Sequence, residues 1–209
     1  DWLQERTKME KAYLYIVLTR TNSIVSRLIY LVTRDEYTHA ALSLDKDLKE
    51  MYSFGRKYSY YPFLGRFRHE KLDEGLYKRS RRLPGIVLEL EVAKESYVQA
   101  QRIVQEFIDH SSRYKYNCRG LVFGLINKPT TRSDRFLCSQ FVYHVLHGAG
   151  IADFGVPENL VKPVDFLKLP ARVVYQGDLK RLLPNPKSAP GQKSFVHRLL
   201  PKCFARRTG

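Results

Sequence analysis

Runs of apolar residues divide the chain into segments typical of strands and of helices. AYLYIVLTRT (12–21) is rich in β-branched and aromatic residues and predicts a buried strand, and GIVLELEV (85–92) has the same character. KESYVQAQRIVQEFIDHSS (94–112) predicts an amphipathic helix of about four turns. The apolar face of this helix consists of Tyr97, Ala100, Ile103, Val104, Phe107 and Ile108.

Shorter patterns complete the expected framework. SIVSRLIYLVT (23–33) predicts a short helix with Ser23 as its cap. YTHAALSLD and KEMYSFG predict a hairpin around the polar turn DKDL, and RVVYQG predicts an edge strand. Residues 56–83 are basic and tyrosine-rich and have no clean period, so we expect an irregular excursion over the surface that covers a cleft.

The segment RFLCSQFVYHVLHGAG (135–150) predicts a helix that begins close to Cys138. Its core-facing stripe is Phe141, Val142, Val145 and Leu146, and Gly148 and Gly150 are stop signals. A thiol in a first helical turn lies near unpaired N–H groups and the positive end of the helix dipole, which stabilise a thiolate and an oxyanion. The alternative is a buried cysteine that acts as a small apolar side chain.

The charge balance indicates anionic partners. The 209 residues contain 36 Lys and Arg against 21 Asp and Glu, a net charge of +15. Such a surface favours an anionic polymer, an acidic membrane surface or nucleic acid. The length predicts one domain at 1–183, followed by a basic tail at 184–209 that is rich in Pro, Gly and Ser and is expected to be partly flexible.

Cysteine usage and hydropathy narrow the class of protein. Cys118, Cys138 and Cys203 form no CxxC pair, which argues against a disulfide framework and a four-thiolate zinc site. No apolar run approaches the roughly 18 residues of a membrane span, and DWLQERTKMEKAY lacks the pattern of a signal peptide. These features leave the compartment open and are compatible with a cytoplasmic or a peripheral membrane location. KSFVHRLLPKCFARR in the tail is a candidate amphipathic membrane contact.

A thiolate nucleophile requires a base within hydrogen-bond reach. The candidates are His39, His69, His110, His144, His147 and His197. His144 and His147 lie too far along the helix from Cys138, and three others fall in irregular segments or at a helix end, which leaves His39. His39 begins the strand HAALSL on a face of small residues, where a partner can approach; the alternative is an ordinary satisfied histidine.

The order of these segments resembles a known family. YTHAALSLDKDLKEMYSFG, the leading LYIVLTRTNSIVSRLIYLV, the YKYN segment and CSQFV together resemble the circularly permuted papain-like (NlpC-like) proteins. That group includes YiiX-type bacterial proteins and lecithin:retinol acyltransferase. The resemblance covers residues 12–180 and implies an α+β, permuted papain-like fold in which an antiparallel sheet packs against helices, one of them bearing the cysteine.

The resemblance also implies a chemistry. Cys138 would attack a carbonyl, His39 would take and return the proton, and backbone N–H groups around Cys138 and Ser139 would hold the oxyanion. The implied activity is that of a cysteine hydrolase, of the amidase, peptidase or acyl-ester type, or of an acyltransferase. Substrates in the family include cell-wall peptides, lipid esters and other amides, and no cofactor or metal is implied.

The third catalytic residue is left open between neighbouring positions. In the family, a polar residue on the second hairpin strand orients the histidine, and the pattern places Ser53 there, whereas Glu50 is the better chemical choice. If the turn is DKDL, Glu50 faces Ser43 and Tyr52 becomes the diagonal neighbour of His39. A turn one residue longer instead places Ser53 on the histidine's face.

The sequence also permits a non-catalytic interpretation. A papain-like shell could bind an anionic polymer, a membrane or nucleic acid through its basic surface without turning anything over. Nucleic acid is the least expected of these partners, because no RNA-binding signature or zinc-finger spacing accompanies the basic segment. The reactivity of Cys138 separates the two classes.

Overall fold

The computed structural model describes residues 10–20, 26–27, 30–31, 34–56, 65–116 and 135–183. The strands are β1 (Lys11–Thr19), β2 (His39–Ser43), β3 (Met51–Arg56), β4 (Gly65–Glu70), β5 (Pro84–Ala93), β6 (Lys115–Tyr116), β7 (Arg135–Phe136) and β8 (Arg172–Asp178). The helices are α1 (Gly75–Arg79), α2 (Lys94–Asp109) and α3 (Cys138–Gly148), with 3-10 turns at Glu158–Leu160, Pro163–Lys168 and Leu179–Leu182.

These strands form one sheet in the order β7-β6-β4-β3-β2-β1-β5-β8. The six longer strands are antiparallel throughout, and the two-residue strand β7 pairs in parallel with β6 at the far edge. Strand β8 lies at the opposite edge, which confirms the predicted edge strand. The protein therefore has an α+β fold, as the sequence predicts.

The two faces of the sheet pack against different elements. On one face, apolar residues of β1, β2 and β5 form a large core with α2 and α3. From α2, Ala100, Val104 and Phe107 are buried in this core, while Ile108 at the end of the same stripe is exposed. On the other face, a smaller core forms around Tyr15, Val17, Ala41, Met51, Leu72, Tyr77, Leu83, Val87 and Leu179. The face that carries His39 is thus covered by α1 and the last 3-10 turn.

The hairpin of β2 and β3 adopts the longer of the two predicted turns. Ser43 pairs with Met51, and Leu42 pairs with Tyr52. The Asp45 carboxylate organises the turn by accepting the backbone N–H groups of Asp47, Lys49 and Glu50. Alternate residues of a strand share a face, so this register places Ser53 and Gly55 on the face of His39.

The expectation of an irregular excursion over residues 56–83 is wrong for its described part. Strand β4 and helix α1 lie there, and the whole of β4 pairs with β3. The strand was not visible in the sequence because Phe67 is the only large apolar residue in GRFRHE, too little for a period of two. Residues 57–64 lie outside the described ranges.

Several expectations fall wholly or largely on residues that the structure does not describe. They concern most of the helix at 23–33, the chain after Tyr116 in the YKYN segment, Cys118, and the basic tail with Cys203. Among the helices in the described ranges, none has the length and apolar character needed to cross a membrane.

Candidate active site

Cys138 is the first residue of α3, as the sequence predicts. The sulfur receives two backbone N–H groups, one from Ser139 in its own helix and one from Ala40 in β2. The Ser139 hydroxyl donates to the Val161 carbonyl at 2.6 Å and fastens this end of the helix to the loop before the second 3-10 turn. The thiol is therefore held between a helix amino end and a strand.

The N–H group of Ala40 is available because the β2–β3 ladder is short. Pairing between these strands is confined to Leu42 with Tyr52 and Ser43 with Met51, and it stops before the end of β2 that carries His39. On the other side, β2 remains paired with β1 as far as His39. The open end of the ladder gives the sulfur an N–H donor that a continuous sheet would have used internally.

His39 links the thiol to a carboxylate. Its Nε2 lies 3.1 Å from Oε2 of Glu70, and the ring also hydrogen-bonds to Cys138. With Nε2 engaged by Glu70, the nitrogen that faces the sulfur is Nδ1. The His39 side chain is 17% exposed and that of Glu70 7%, so the imidazole reaches the surface while the carboxylate lies behind it.

Each member of this chain has a shifted pKa. Burial alone would lower the pKa of His39, but the negative charges of Glu70 and Cys138 raise it to about 10. Burial would raise the pKa of Glu70, but His39 and the hydroxyl of Tyr77 lower it to about 2. Burial would likewise raise the pKa of Cys138, yet His39 and the two N–H groups outweigh it and lower that pKa. The shifts of His39 and Cys138 both favour the ion pair of a thiolate and an imidazolium.

Gly55 provides the space through which Glu70 reaches His39. A Cβ atom at this position would lie 3.1 Å from Oε1 of Glu70 and 3.2 Å from Cδ of Arg68, closer than most side-chain contacts. The carboxylate from β4 thus crosses over β3 at a residue with no side chain. The need for glycine here arises from close approach rather than from an unusual backbone conformation.

Enlarging residue 55 is therefore expected to weaken the contact between Glu70 and His39. Gly55→Ala requires the neighbours to move by a few tenths of an ångström and should have a small effect, whereas Gly55→Val should displace the carboxylate and slow alkylation of Cys138 at neutral pH about tenfold or more. The rate constant for alkylation of Cys138 by iodoacetamide, measured for the parent and both variants, tests this expected order. A Gly55→Val protein that reacts as fast as the parent would contradict it.

The structure brings together only part of the predicted site. Cys138 and His39 meet as expected. Glu50 lies instead at the turn end of the hairpin, on the order of 16 Å along β2 from His39, with its side chain exposed. Tyr52 lies on the opposite face, stacked on Phe67. Glu50 and Tyr52 therefore do not fit the role of the third catalytic residue, because the observed register places both side chains away from His39.

Ser53 shares the face of His39 but does not orient it. Its hydroxyl is buried, makes no hydrogen bond with the described residues, and lies 3.8 Å from where a Gly55 Cβ would be. The partner of His39 is Glu70, on the third strand of the meander rather than the second. No local sequence signal marks Glu70, since its role depends on a contact between residues 31 positions apart.

The other described histidines have structural partners. His144 binds Glu158 at 2.9 Å, and Nε2 of His69 contacts the Lys49 carbonyl. His69 was expected in an irregular segment but lies in β4, because that strand was not predicted. Within the described ranges, no group of three His, Cys, Asp or Glu side chains could hold a metal ion.

Comparison with protein-family profiles, with curated proteins and with solved structures finds no match to this chain. Its function must be inferred from its own side chains. Those side chains are a thiol at a helix amino end, an imidazole at the open end of a ladder, and a buried carboxylate behind it.

Proposed function

We propose that this protein is a thiol-dependent hydrolase or acyltransferase that acts on an amide or an ester. The observation that carries the proposal is the sequence of contacts from Cys138 through His39 to Glu70, with each pKa shifted toward the charged form. A cysteine that only filled space would have its pKa raised by burial. Here His39 and the backbone N–H groups outweigh burial and lower the pKa of Cys138. A lowered pKa is what makes a thiol nucleophilic.

The proposed reaction begins with attack by the Cys138 thiolate on the carbonyl carbon. A carbon–sulfur bond forms, and the negative charge moves to the carbonyl oxygen. Nδ1 of His39 then gives its proton to the departing amine or alkoxide, leaving a thioester on Cys138. Water or a second nucleophile attacks this thioester, His39 takes the proton, and the thiolate departs, so that all groups return to their starting state.

The amino end of α3 is suited to hold the charge on the carbonyl oxygen. The first N–H groups of a helix have no acceptor within the helix, and the helix dipole is positive there. Cys138 is the first residue of α3, so an oxygen bound to the attacked carbon lies close to these donors. The hydrogen bond from Ser139 to Val161 keeps this end of the helix in place.

The resemblance to permuted papain-like proteins supports the same proposal. The histidine strand precedes the cysteine helix in the chain, as in that family, and α3 packs against β2. The chain departs from the family in its third residue, because Ser53 stands on the second hairpin strand and Glu70 supplies the carboxylate from β4. Peptides, other amides and lipid esters are the proposed substrate classes.

A reaction with a simple activated ester tests the proposal. p-Nitrophenyl acetate is expected to acetylate Cys138 much faster than Cys118 and Cys203, with continued release of p-nitrophenol and loss of both effects in Cys138→Ser. Peptide mass spectrometry locates the acetyl group, and the other two cysteines serve as internal references. If Cys138 is no more reactive than they are, the enzymatic proposal fails and a non-catalytic module that binds anionic polymers or membranes takes its place.

A further inference from the structure

Tyr77 of α1 approaches the candidate site from behind Glu70. Its hydroxyl donates to Oε2 of Glu70 at 2.7 Å, and this is the same oxygen that lies 3.1 Å from Nε2 of His39. The two rings meet edge to face, with centroids 6.2 Å apart. Tyr77 is 4% exposed, so it cannot itself touch a substrate in this position. Any effect on the chemistry must pass through the carboxylate.

The direction of these hydrogen bonds is determined by protonation. Burial and the neighbouring Glu70 charge raise the pKa of Tyr77 well above its ordinary value, so the phenol keeps its proton and donates it. The carboxylate of Glu70 can only accept. His39 must therefore donate through Nε2, which leaves Nδ1 to exchange a proton with Cys138.

The other oxygen of Glu70 faces a competing cation. Nε of Arg68 lies 4.0 Å from Oε1, and its side chain extends along the same face of β4. The titratable and charged groups around the carboxylate are thus His39 from β2, Arg68 from its own strand and Tyr77 from α1, with Cys138 of α3 beyond the histidine. Two cations, His39 and Arg68, thus lie near different oxygens of one carboxylate.

We propose that Tyr77 is a positioning residue that holds Oε2 of Glu70 against His39 and prevents the carboxylate from turning toward Arg68. This inference rests on the proposed function, because it assigns Tyr77 a part in activating the same thiol. The hydroxyl of Tyr77 gives Oε2 a second hydrogen-bond partner, which restricts rotation of the carboxylate. Without it, the charge of Arg68 draws the carboxylate away from the imidazole.

Removal of the hydroxyl alone tests this assignment. Tyr77→Phe keeps the ring and its packing on His39, and it is expected to lower the pKa of His39 by about one pH unit or more. The pKa is read by NMR from the His39 Hε1 resonance in a Cys138→Ser background, so that the titration reports Glu70 without the thiolate. Tyr15→Phe is the matched control, because Tyr15 is also buried on this face and donates to a different carboxylate, Glu89.

A second substitution separates positioning from structural damage. Arg68→Gln removes the competing cation, and this raises the pKa of His39 by itself. The gain from Arg68→Gln is therefore expected to be larger in the Tyr77→Phe background than in the parent, which a loosened fold would not produce. If Tyr77→Phe titrates like Tyr15→Phe, or if the gain from Arg68→Gln is equal in the two backgrounds, the inference is overturned. The proposed function is tested by a different measurement, the reactivity of Cys138 in the parent protein. Either proposal can therefore fail without the other.

Discussion

Replacing His39 with alanine is expected to convert Cys138 from a thiolate to a protonated, slowly reacting thiol. Burial raises the pKa of Cys138, and His39 is the larger of the influences that lower it. Without the imidazolium, the pKa should rise above the ordinary cysteine value of about 8.5, so that at most about 3% of the thiol is ionised near pH 7. The rate of alkylation at neutral pH should then fall on the order of a hundredfold.

The pH profile of iodoacetamide alkylation at Cys138, read by peptide mass spectrometry, measures this change. His144→Ala is the matched control, because His144 lies on the same helix as Cys138 but binds Glu158. His39→Gln provides a second variant that retains a hydrogen-bonding side chain beside Glu70 if the alanine protein folds poorly. Equal profiles for the parent and both His39 variants would show that the histidine does not activate the thiol.

Glu70→Gln is expected to slow alkylation of Cys138 less than His39→Ala does, because it weakens the base instead of removing it. The glutamine preserves the shape of the side chain but removes the negative charge that chiefly raises the pKa of His39. Burial then dominates, and the pKa of His39 should fall from about 10 by several pH units. At neutral pH, the imidazolium is then largely lost, and alkylation of Cys138 should slow at least about tenfold.

The same variant should change the acid dependence of folding stability. The pKa of Glu70 is lowered from 4.5 to about 2, so its contribution to the free energy of unfolding is present above pH 4.5 and is lost as the pH falls through about 2. That contribution is on the order of 3 kcal/mol. Urea unfolding near pH 5.5 and near pH 3 should show about 2 kcal/mol of this loss in the parent and not in Glu70→Gln. A parallel loss in both proteins would mean that the carboxylate is not ion-paired in the folded state.

The main elements of the fold were predictable where one apolar pattern dominates. Strands β1 and β5 are nearly continuous apolar runs, and α2 and α3 have clear helical stripes, so their bounds were close to those observed. Strand β4 was missed because polar residues occupy both of its faces: Arg68 and Glu70 point toward the site, and His69 points away from it. A strand that carries functional side chains loses the alternation by which strands are recognised.

Two of the three members of the candidate site were predictable, and the missing third has a topological cause. The positions of Cys138 and His39 follow from local context, namely a helix start and a strand start. The contact between Glu70 and His39 requires that a side chain cross a whole intervening strand, and the small residue at position 55 leaves the space for it. Register arguments compare neighbouring strands, so they lead to Glu50, Tyr52 or Ser53 and cannot reach a carboxylate two strands away.

The N–H group of Ala40 is bonded to the Cys138 sulfur and not to a neighbouring strand. Acylation of Cys138 would replace an anionic sulfur with a neutral thioester, a much weaker acceptor for that proton. The amide resonance of Ala40 should then move upfield and its exchange with solvent should quicken. The amide resonance of Ala40, in the strand that carries the base, would thus report whether Cys138 is free or acylated.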